Sequence, residues 1–350
     1  MTPMTTLPAD AGARLSWNRA LVTGGAGFLG SHLCARLLDS GVEVDCLDDL
    51  STGRSGNVAP LSDRPGFRFL ERDIRDIRDI HDIRGTRDVP ASGCEEALTG
   101  PYDLVLHLAG PTAPADATGR PREALDAGSL GTRNALAVAD RDGARFLLVS
   151  SPEARAGDRA GDGDPVGPYS AYAEATRFSE ALVAAHAAGG SNAGIVRVFA
   201  TCGPRMRTDD GRTISTLLGQ ALSGGPVTVA GDGDRTLPLC YVDDVADGVL
   251  LLAAGRSVRP VDLGGDDGPT VAQLARRIAA LTGSGSPALA DGTAGEPPPP
   301  RPATGFAREL FGWVPRVTWQ EGLERTVAAF LAGPGRAPAA VGRDGGGRSA

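Results

Sequence analysis

The sequence predicts an α/β fold, a doubly wound parallel sheet with a smaller C-terminal lobe. Three observations carry this expectation. Over residues 18–200, short apolar runs alternate with amphipathic segments of helical period, the pattern of a parallel sheet covered on both faces. A glycine cluster ends the first apolar run and opens the first helical segment. Beyond residue 200 the alternation loosens, which sets off residues 201–332 as mainly a separate lobe with some segments returning to the first domain. A chain of 350 residues is long enough to bury a substantial core in one large or two medium domains.

The elements follow in order. Residues 1–17 are polar and read as a flexible tail. Residues 20–23 (ALVT) form a short apolar strand. Residues 30–40 place Leu33, Leu37 and Leu38 on one helical face, and Gly41 is the stop signal. Residues 42–47 (VEVDCL) alternate as a second strand ending at Asp48. Strands are expected at 67–70, 104–108, 146–149 and 195–199, with helices over 129–141 and 170–187. Residues 73–93 read as an insertion in the first domain, beginning with the triplet repeat DIRDIRDIHDIR at 73–84, a charge-laced surface segment. In the lobe, helices are expected at 213–222, 242–253, 271–281 and 321–331, and a strand at 226–229. Residues 292–302 contain EPPPPRP, a stiff extended connector. The Gly/Ala/Pro/Arg-rich residues 333–350 read as a disordered tail.

Composition excludes several function classes. With 35 basic and 43 acidic residues the net charge is −8, against a nucleic-acid or anionic-membrane partner, both of which need a basic face. No run approaches the roughly 18 apolar residues of a membrane span, and the first 16 residues lack the basic start and apolar stretch of a secretion signal. The five cysteines, Cys34, Cys46, Cys94, Cys202 and Cys240, are widely spaced without a CxxC pair. A reducing cytoplasm is the expected location, with neither a disulfide framework nor a zinc site. The four histidines lack ligand spacing, so no metal is expected. All 35 basic residues are arginine; the chain contains no lysine.

The glycine cluster Thr23-Gly24-Gly25-Ala26-Gly27-Phe28-Leu29-Gly30 lies between a strand and a helix. Glycines there let the backbone approach a pyrophosphate, and the helix N-terminus offers unpaired N–H groups and a favourable dipole. Asp48, 18 residues beyond Gly30, stands where a carboxylate accepts the ribose hydroxyls of NAD and repels the 2′-phosphate of NADP.

Taken together, TGGAGFLG and the downstream Asp48 resemble the extended short-chain dehydrogenase/reductases that modify nucleotide sugars, over residues 18–332. The UDP-glucuronate decarboxylase branch is the nearest look: His107–Pro114 (HLAGPTAP) resembles its HLASPASP, and GPRM at 203–206 with DGR at 210–212 and Ser215 resembles its GPRM…DGR..S. CYVDD at 240–244 and LFGWVP at 310–315 also match. The resemblance implies a Rossmann fold with bound NAD. It implies cofactor contacts from Gly24, Gly27, Phe28, Leu29, Gly30, Asp48, Asp73, Ile74, Leu108, Ala109 and Tyr172. It implies substrate contacts from Pro111, Arg205, Arg212, Arg235 and Arg301. It further implies a homodimer, formed as a four-helix bundle from the helices near 122–141 and 170–187 of each subunit.

The implied catalytic residues are Ser151 after the fifth strand, Glu153 two residues later, and Tyr172 at the start of the long helix. The lysine of the family's YxxxK pair is replaced by Thr176. A tyrosine titrates near pH 10 in water, and a neighbouring cation lowers that by about 1–3 units. Base catalysis by Tyr172 is therefore expected to be weakened, and acid catalysis less so. Other departures cluster on the sugar side: Ala117 for a tyrosine, Gly128 and Ala200 for asparagines, and Leu237 for an arginine, with Arg235 two positions earlier as its replacement. Three readings remain open: a UDP-glucuronate decarboxylase-like enzyme, a keto-sugar reductase or epimerase of altered substrate, and a non-catalytic NAD-binding protein acting through a partner. His107 and Cys202 read as packing residues, His32 and His186 as helix-surface residues, and Asp243-Asp244 as a helix N-cap.

Overall fold

The computed structural model describes residues 16–77, 98–110, 113–155, 170–284, 288–290 and 301–333. Pro111, Cys94, most of the triplet repeat, residues 292–300 of the connector and nearly all of both tails lie outside the described residues.

The first half runs β1 (Arg19–Thr23), α1 (Phe28–Asp39), β2 (Glu43–Asp48), α2 (Ser55–Val58), β3 (Phe67–Glu71), β4 (Leu104–His107), α3 (Pro114–Gly119), α4 (Pro121–Asp126), a π-helical turn (Ala127–Gly131), α5 (Thr132–Asp142), β5 (Arg145–Ser150), α6 (Ser170–Ala188) and β6 (Ala193–Val198). The second half runs β7 (Thr201–Cys202), α7 (Thr213–Leu222), β8 (Val227–Val229), β9 (Cys240–Tyr241), α8 (Val242–Ala254), β10 (Val261–Leu263), α9 (Val271–Thr282), β11 (Ala288–Ala290), α10 (Gly305–Phe311) and α11 (Trp319–Ala332).

Seven strands form one parallel sheet in the order β10-β6-β5-β4-β1-β2-β3. Successive side chains of a strand point to opposite faces, and β1 shows the result. Ala20 and Val22 pack into the core under α1 and α8, while Leu21 packs into the core under α5 and α6. All three are fully buried, and each large aliphatic residue so placed contributes about 1.5–3 kcal/mol. The chain leaves β1 toward β2 on one side and β4 on the other, so the crevice at the carboxyl ends of β1 and β4 is the topological switch point where doubly wound sheets bind ligands. A separate core of Ile214, Leu217, Leu218, Leu274, Ile278 and Leu323 joins α7, α9 and α11. β10 returns to the main sheet beside β6.

Four details differ from the sequence expectations. Trp17, expected in the tail, packs into the first core. The helix expected at 129–141 begins as the π-helical turn before α5. Asp243 and Asp244 occupy the first turn of α8, whose N-cap is Tyr241; the Asp244 carboxylate instead accepts the backbone N–H groups of Arg316 and Val317 at 3.0 and 2.8 Å. His32 is half-buried, its Nε2 3.0 Å from the Pro204 carbonyl, and burial lowers its pKa to about 4.

Candidate active site

The glycine loop is held by backbone contacts that leave no room for side chains. Gly24 has φ +70° and donates its N–H to Leu47 O at 2.8 Å; a Cβ there would stand 2.8 Å from Ala109 N. A Cβ on Gly30 would stand 2.3 Å from Gly24 O. The loop delivers the chain to α1, whose N-cap Gly27 has no side-chain cap and whose first turn contains no acid. That end offers backbone N–H groups and a positive dipole to an anion. Asp48 closes β2, accepting from Ala26 N at 2.9 Å and Leu50 N at 2.8 Å, and burial raises its carboxyl above the usual range. The cradle and the acid at the second strand's end fit the phosphates and ribose of NAD.

The remaining implied cofactor residues line the same crevice edge or buttress it. Leu108 N and Ala109 N bond to Thr23 O (3.0 Å) and Thr23 Oγ1 (3.3 Å), fixing the end of β4 against β1. Asp73 caps the short turn Ile74–Asp76 and pairs with Arg75, while Ile74 is buried and its carbonyl accepts from Asn134 Nδ2 at 2.9 Å. Phe28 stacks edge-on against His32, and Leu29 packs against both main cores. His107 is fully buried between Thr23 Oγ1 (2.7 Å) and Thr132 Oγ1 (3.2 Å), and burial lowers its pKa to about 4. It is a neutral hydrogen-bonding strut at neutral pH.

At the carboxyl end of β5 the two serines part. Ser150 Oγ donates to Glu180 Oε1 at 2.6 Å, and Glu180 is paired with Arg197 at 2.5 Å. Ser151 turns to the other side, toward Tyr172; its Oγ and Glu153 Oε2 are both buried without a hydrogen bond of normal geometry. Tyr172 is 3% exposed in a small apolar cluster with Ala117 and Ala124. Burial pushes its phenol up to about 12, and the Glu153 carboxylate adds to the rise; Arg212 and the Ser151 hydroxyl oppose it. Arg212 Nη2 lies 3.4 Å from the Tyr172 hydroxyl. Thr176, in the lysine's place, donates its hydroxyl to Tyr172 O at 2.8 Å, back along its own helix.

Three of the implied substrate arginines form a chain of neighbours. Arg212 precedes Thr213, whose Oγ1 accepts from Arg235 Nη2 at 2.8 Å; the next residue after Arg235, Thr236, accepts from Arg301 Nη2 at 3.4 Å. Arg205 is directed elsewhere, donating to Ser31 O of α1 at 3.1 Å. The departing positions are absorbed into packing. Leu237 lies in the second core, and Gly128 meets α6 so closely that a Cβ would stand 2.7 Å from Ala175 O. The Ser150–Glu180–Arg197 network is absent from the sequence expectations. Its one sequence signal is an arginine inside the apolar strand at 195–199, which calls for a buried acid. Among the described residues no group of three potential metal ligands and no helix able to cross a membrane is present.

Comparison with known proteins gives the family and the fold. UDP-glucuronic acid decarboxylase 1 of Xenopus tropicalis is 34% identical over 322 residues, 89% of this chain and 72% of that protein. UDP-glucuronic acid decarboxylase 3 of Arabidopsis thaliana is 33% identical, covering 87% of this chain and 86% of that protein. Among solved structures, an epimerase from Methanothermobacter thermautotrophicus shares the fold with a TM-score of 0.77 at 24% identity, over 90% of this chain and 92% of that one. The UDP-glucose 4-epimerase of Thermus thermophilus, solved in complex with NAD, has a TM-score of 0.69 at 26% identity, over 90% and 99% of the two chains. Residues 20–263 match the NAD dependent epimerase/dehydratase family. With the glycine cradle, Asp48 and the Ser151–Tyr172 pair at the carboxyl edge of the sheet, this chain belongs to that family of NAD-dependent, nucleotide-sugar-modifying enzymes.

Proposed function

We propose that the chain is a nucleotide-sugar decarboxylase acting on UDP-glucuronate. The observation that carries this reading is the juxtaposition of Ser151, Glu153 and Tyr172 with the Arg212–Arg235–Arg301 run. It joins groups for chemistry at a sugar hydroxyl to cations suited to a diphosphate or a carboxylate, and the identity to UDP-glucuronic acid decarboxylases supports it.

NAD held by the glycine loop and Asp48 supplies reversible hydride acceptance. Tyr172 takes the proton of the C4 hydroxyl as the sugar is oxidised there, and Ser151 donates a hydrogen bond to the oxygen that becomes the ketone. The ketone is β to the C5 carboxylate, so the C5–carboxylate bond breaks with its electrons passing into an enolate and carbon dioxide leaving. Glu153, protonated from solvent, returns a proton to C5. Tyr172 then returns the C4 proton if the ketone is re-reduced.

The test is incubation with UDP-glucuronate and NAD, following carbon dioxide and nucleotide-sugar mass. A loss of about 44 or 46 mass units, absent in Tyr172→Phe, is the expected result. No turnover with NAD bound sinks the reading for this substrate. One observation favours a reductase as second reading: a phenol raised to about 12 is a proton donor at neutral pH. Steady cofactor consumption with a keto-sugar separates the two. A homodimer through α4–α6 is also proposed. Leu125, Leu130 and Phe178 are 42%, 41% and 51% exposed on these mutually packed elements. Sedimentation of Phe178→Glu should show monomers where the unaltered chain shows dimers.

A further inference from the structure

We propose that Arg212 is the positioning residue that supplies, from the loop before α7, the positive charge Tyr172 needs to act as a base. The inference rests on the reading of Tyr172 as the residue that handles the C4 proton.

The chain contains no lysine, so a permanently charged side chain acting on Tyr172 has to be an arginine. The residue one turn beyond Tyr172 on α6 is Thr176, a neutral group whose hydroxyl is spent on the Tyr172 carbonyl. The adjacent Arg177 is paired with Glu174 at 2.5 Å. The cation that the fold does bring to the phenol comes from a different element. Arg212 is the N-cap residue of α7, in extended backbone (φ −74°, ψ 150°), with its N–H donated to Asp210 Oδ1 at 3.0 Å. Its guanidinium Nη2 is 3.4 Å from the phenol oxygen.

The groups facing the phenol define a balance. From the end of β5 come the Ser151 hydroxyl and the Glu153 carboxylate; from the loop before α7 comes Arg212, with Asp210 behind it at 3.9 Å. From α3 the nearby acid Asp116 is paired with Arg207 at 3.1 Å, and α3 and α4 otherwise present Ala117 and Ala124. Burial and Glu153 hold the proton on the phenol; Arg212 favours its release to solvent. Because the Arg212 side chain is 41% exposed, its field is partly screened. The expected effect therefore lies at the low end of the roughly 1–3 pH units that a neighbouring charge exerts.

The test needs no turnover, so it stands or falls apart from the decarboxylase reading. The four tyrosines are replaced biosynthetically by difluorotyrosine, which brings phenol titration into the range where the protein stays folded. The NAD-loaded protein is titrated by fluorine NMR, with Tyr172→Phe assigning the signal. In Arg212→Gln the Tyr172 midpoint should rise by about 1 unit. In Arg212→Gln combined with Thr176→Lys it should fall back, since a charge restored from within the helix does the same work. A midpoint unmoved by Arg212→Gln overturns the proposal. A second measurement covers a variant that fails to fold: the guanidinium nitrogen resonance of Arg212 in the unaltered protein should shift at the Tyr172 midpoint. It should stay flat in Tyr172→Phe, and a flat response in the unaltered protein also overturns the proposal.

Discussion

At the carboxyl ends of β1 and β2, Gly24, Gly30 and Asp48 keep the arrangement that a dinucleotide requires. Across the crevice, around α3 to α6 and the start of the lobe, Ala117, Gly128, Thr176, Ala200 and Leu237 stand where the family resemblance implies larger polar or charged groups. The physical difference lies in what each side touches. The glycine loop meets backbone atoms, which cannot move aside: a Cβ on Gly30 would lie 2.3 Å from a carbonyl oxygen. On the sugar side the small residues instead touch neighbouring elements, α6 and the second core, with Gly128 itself against α6 backbone. Gly128 lets α6 approach, Ala117 lies against Tyr172, and Leu237 fills a core. The loop is closed on its own backbone, whereas the small sugar-side residues are filled in by neighbouring elements, so putting back one missing residue should not restore the pocket that the family resemblance implies.

The largest effect should come from breaking the fixed side. Gly30→Ala forces backbone movement at the top of the roughly 1–3 kcal/mol range for overpacking. NAD affinity should fall on the order of 100-fold by titration calorimetry. Retained affinity would show that the loop is no more constrained than the sugar side.

His107 joins the two sides through Thr23 and Thr132, and its effect should be comparable. Its pKa is lowered from 6.5 in a model peptide to about 4 in the fold, so the unfolded chain binds the proton first. The stabilisation is full above about pH 6.5 and is lost as pH falls through about 4, a change of about 3 kcal/mol at roughly 1.4 kcal/mol per unit. Urea unfolding at several pH values should show this loss, and His107→Gln should flatten it.

Gly128→Asn restores the residue the resemblance implies and should destabilise by about 1–3 kcal/mol, because its Cβ collides with Ala175. Adding Ala175→Gly should relieve part of that, less the roughly 1 kcal/mol cost of a helical glycine. If thermal unfolding shows Gly128→Asn to be neutral, the sugar side has not been repacked.

The smallest effect is expected where the sides meet at the surface. Arg54 and Asp209 pair at 3.4 Å with side chains 51% and 63% exposed. Asp209→Asn should change stability by no more than about 1 kcal/mol, and less in high salt.

Much of this is legible in the chain itself. The strand–glycine–helix order, Asp48 at the second strand's end and the absent lysine follow from local pattern and simple counting. The Ser150–Ser151 doublet shows where local pattern stops. Both are hydroxyls at the end of one strand, and only the fold turns Ser150 to Glu180 and Ser151 to Tyr172. Glu180 and Arg197 are equally opaque, since a charge on a helix reads as solvated until its partner on a neighbouring strand is known. Asp244 departs from its expected capping role for the same reason: the N–H groups its carboxylate accepts belong to Arg316 and Val317, far along the chain.

The sequence by itself determined the doubly wound sheet and the cofactor cradle. These depend on period-2 and period-3.6 patterning and on glycines at short spacing, all of which act over a few residues. Tertiary structure alone decided which cation faces Tyr172, which acid holds Ser150 away from it, and which small residues are contacts between helices. These depend on side chains brought together from elements far apart in the chain, and such distances leave no mark on local sequence pattern.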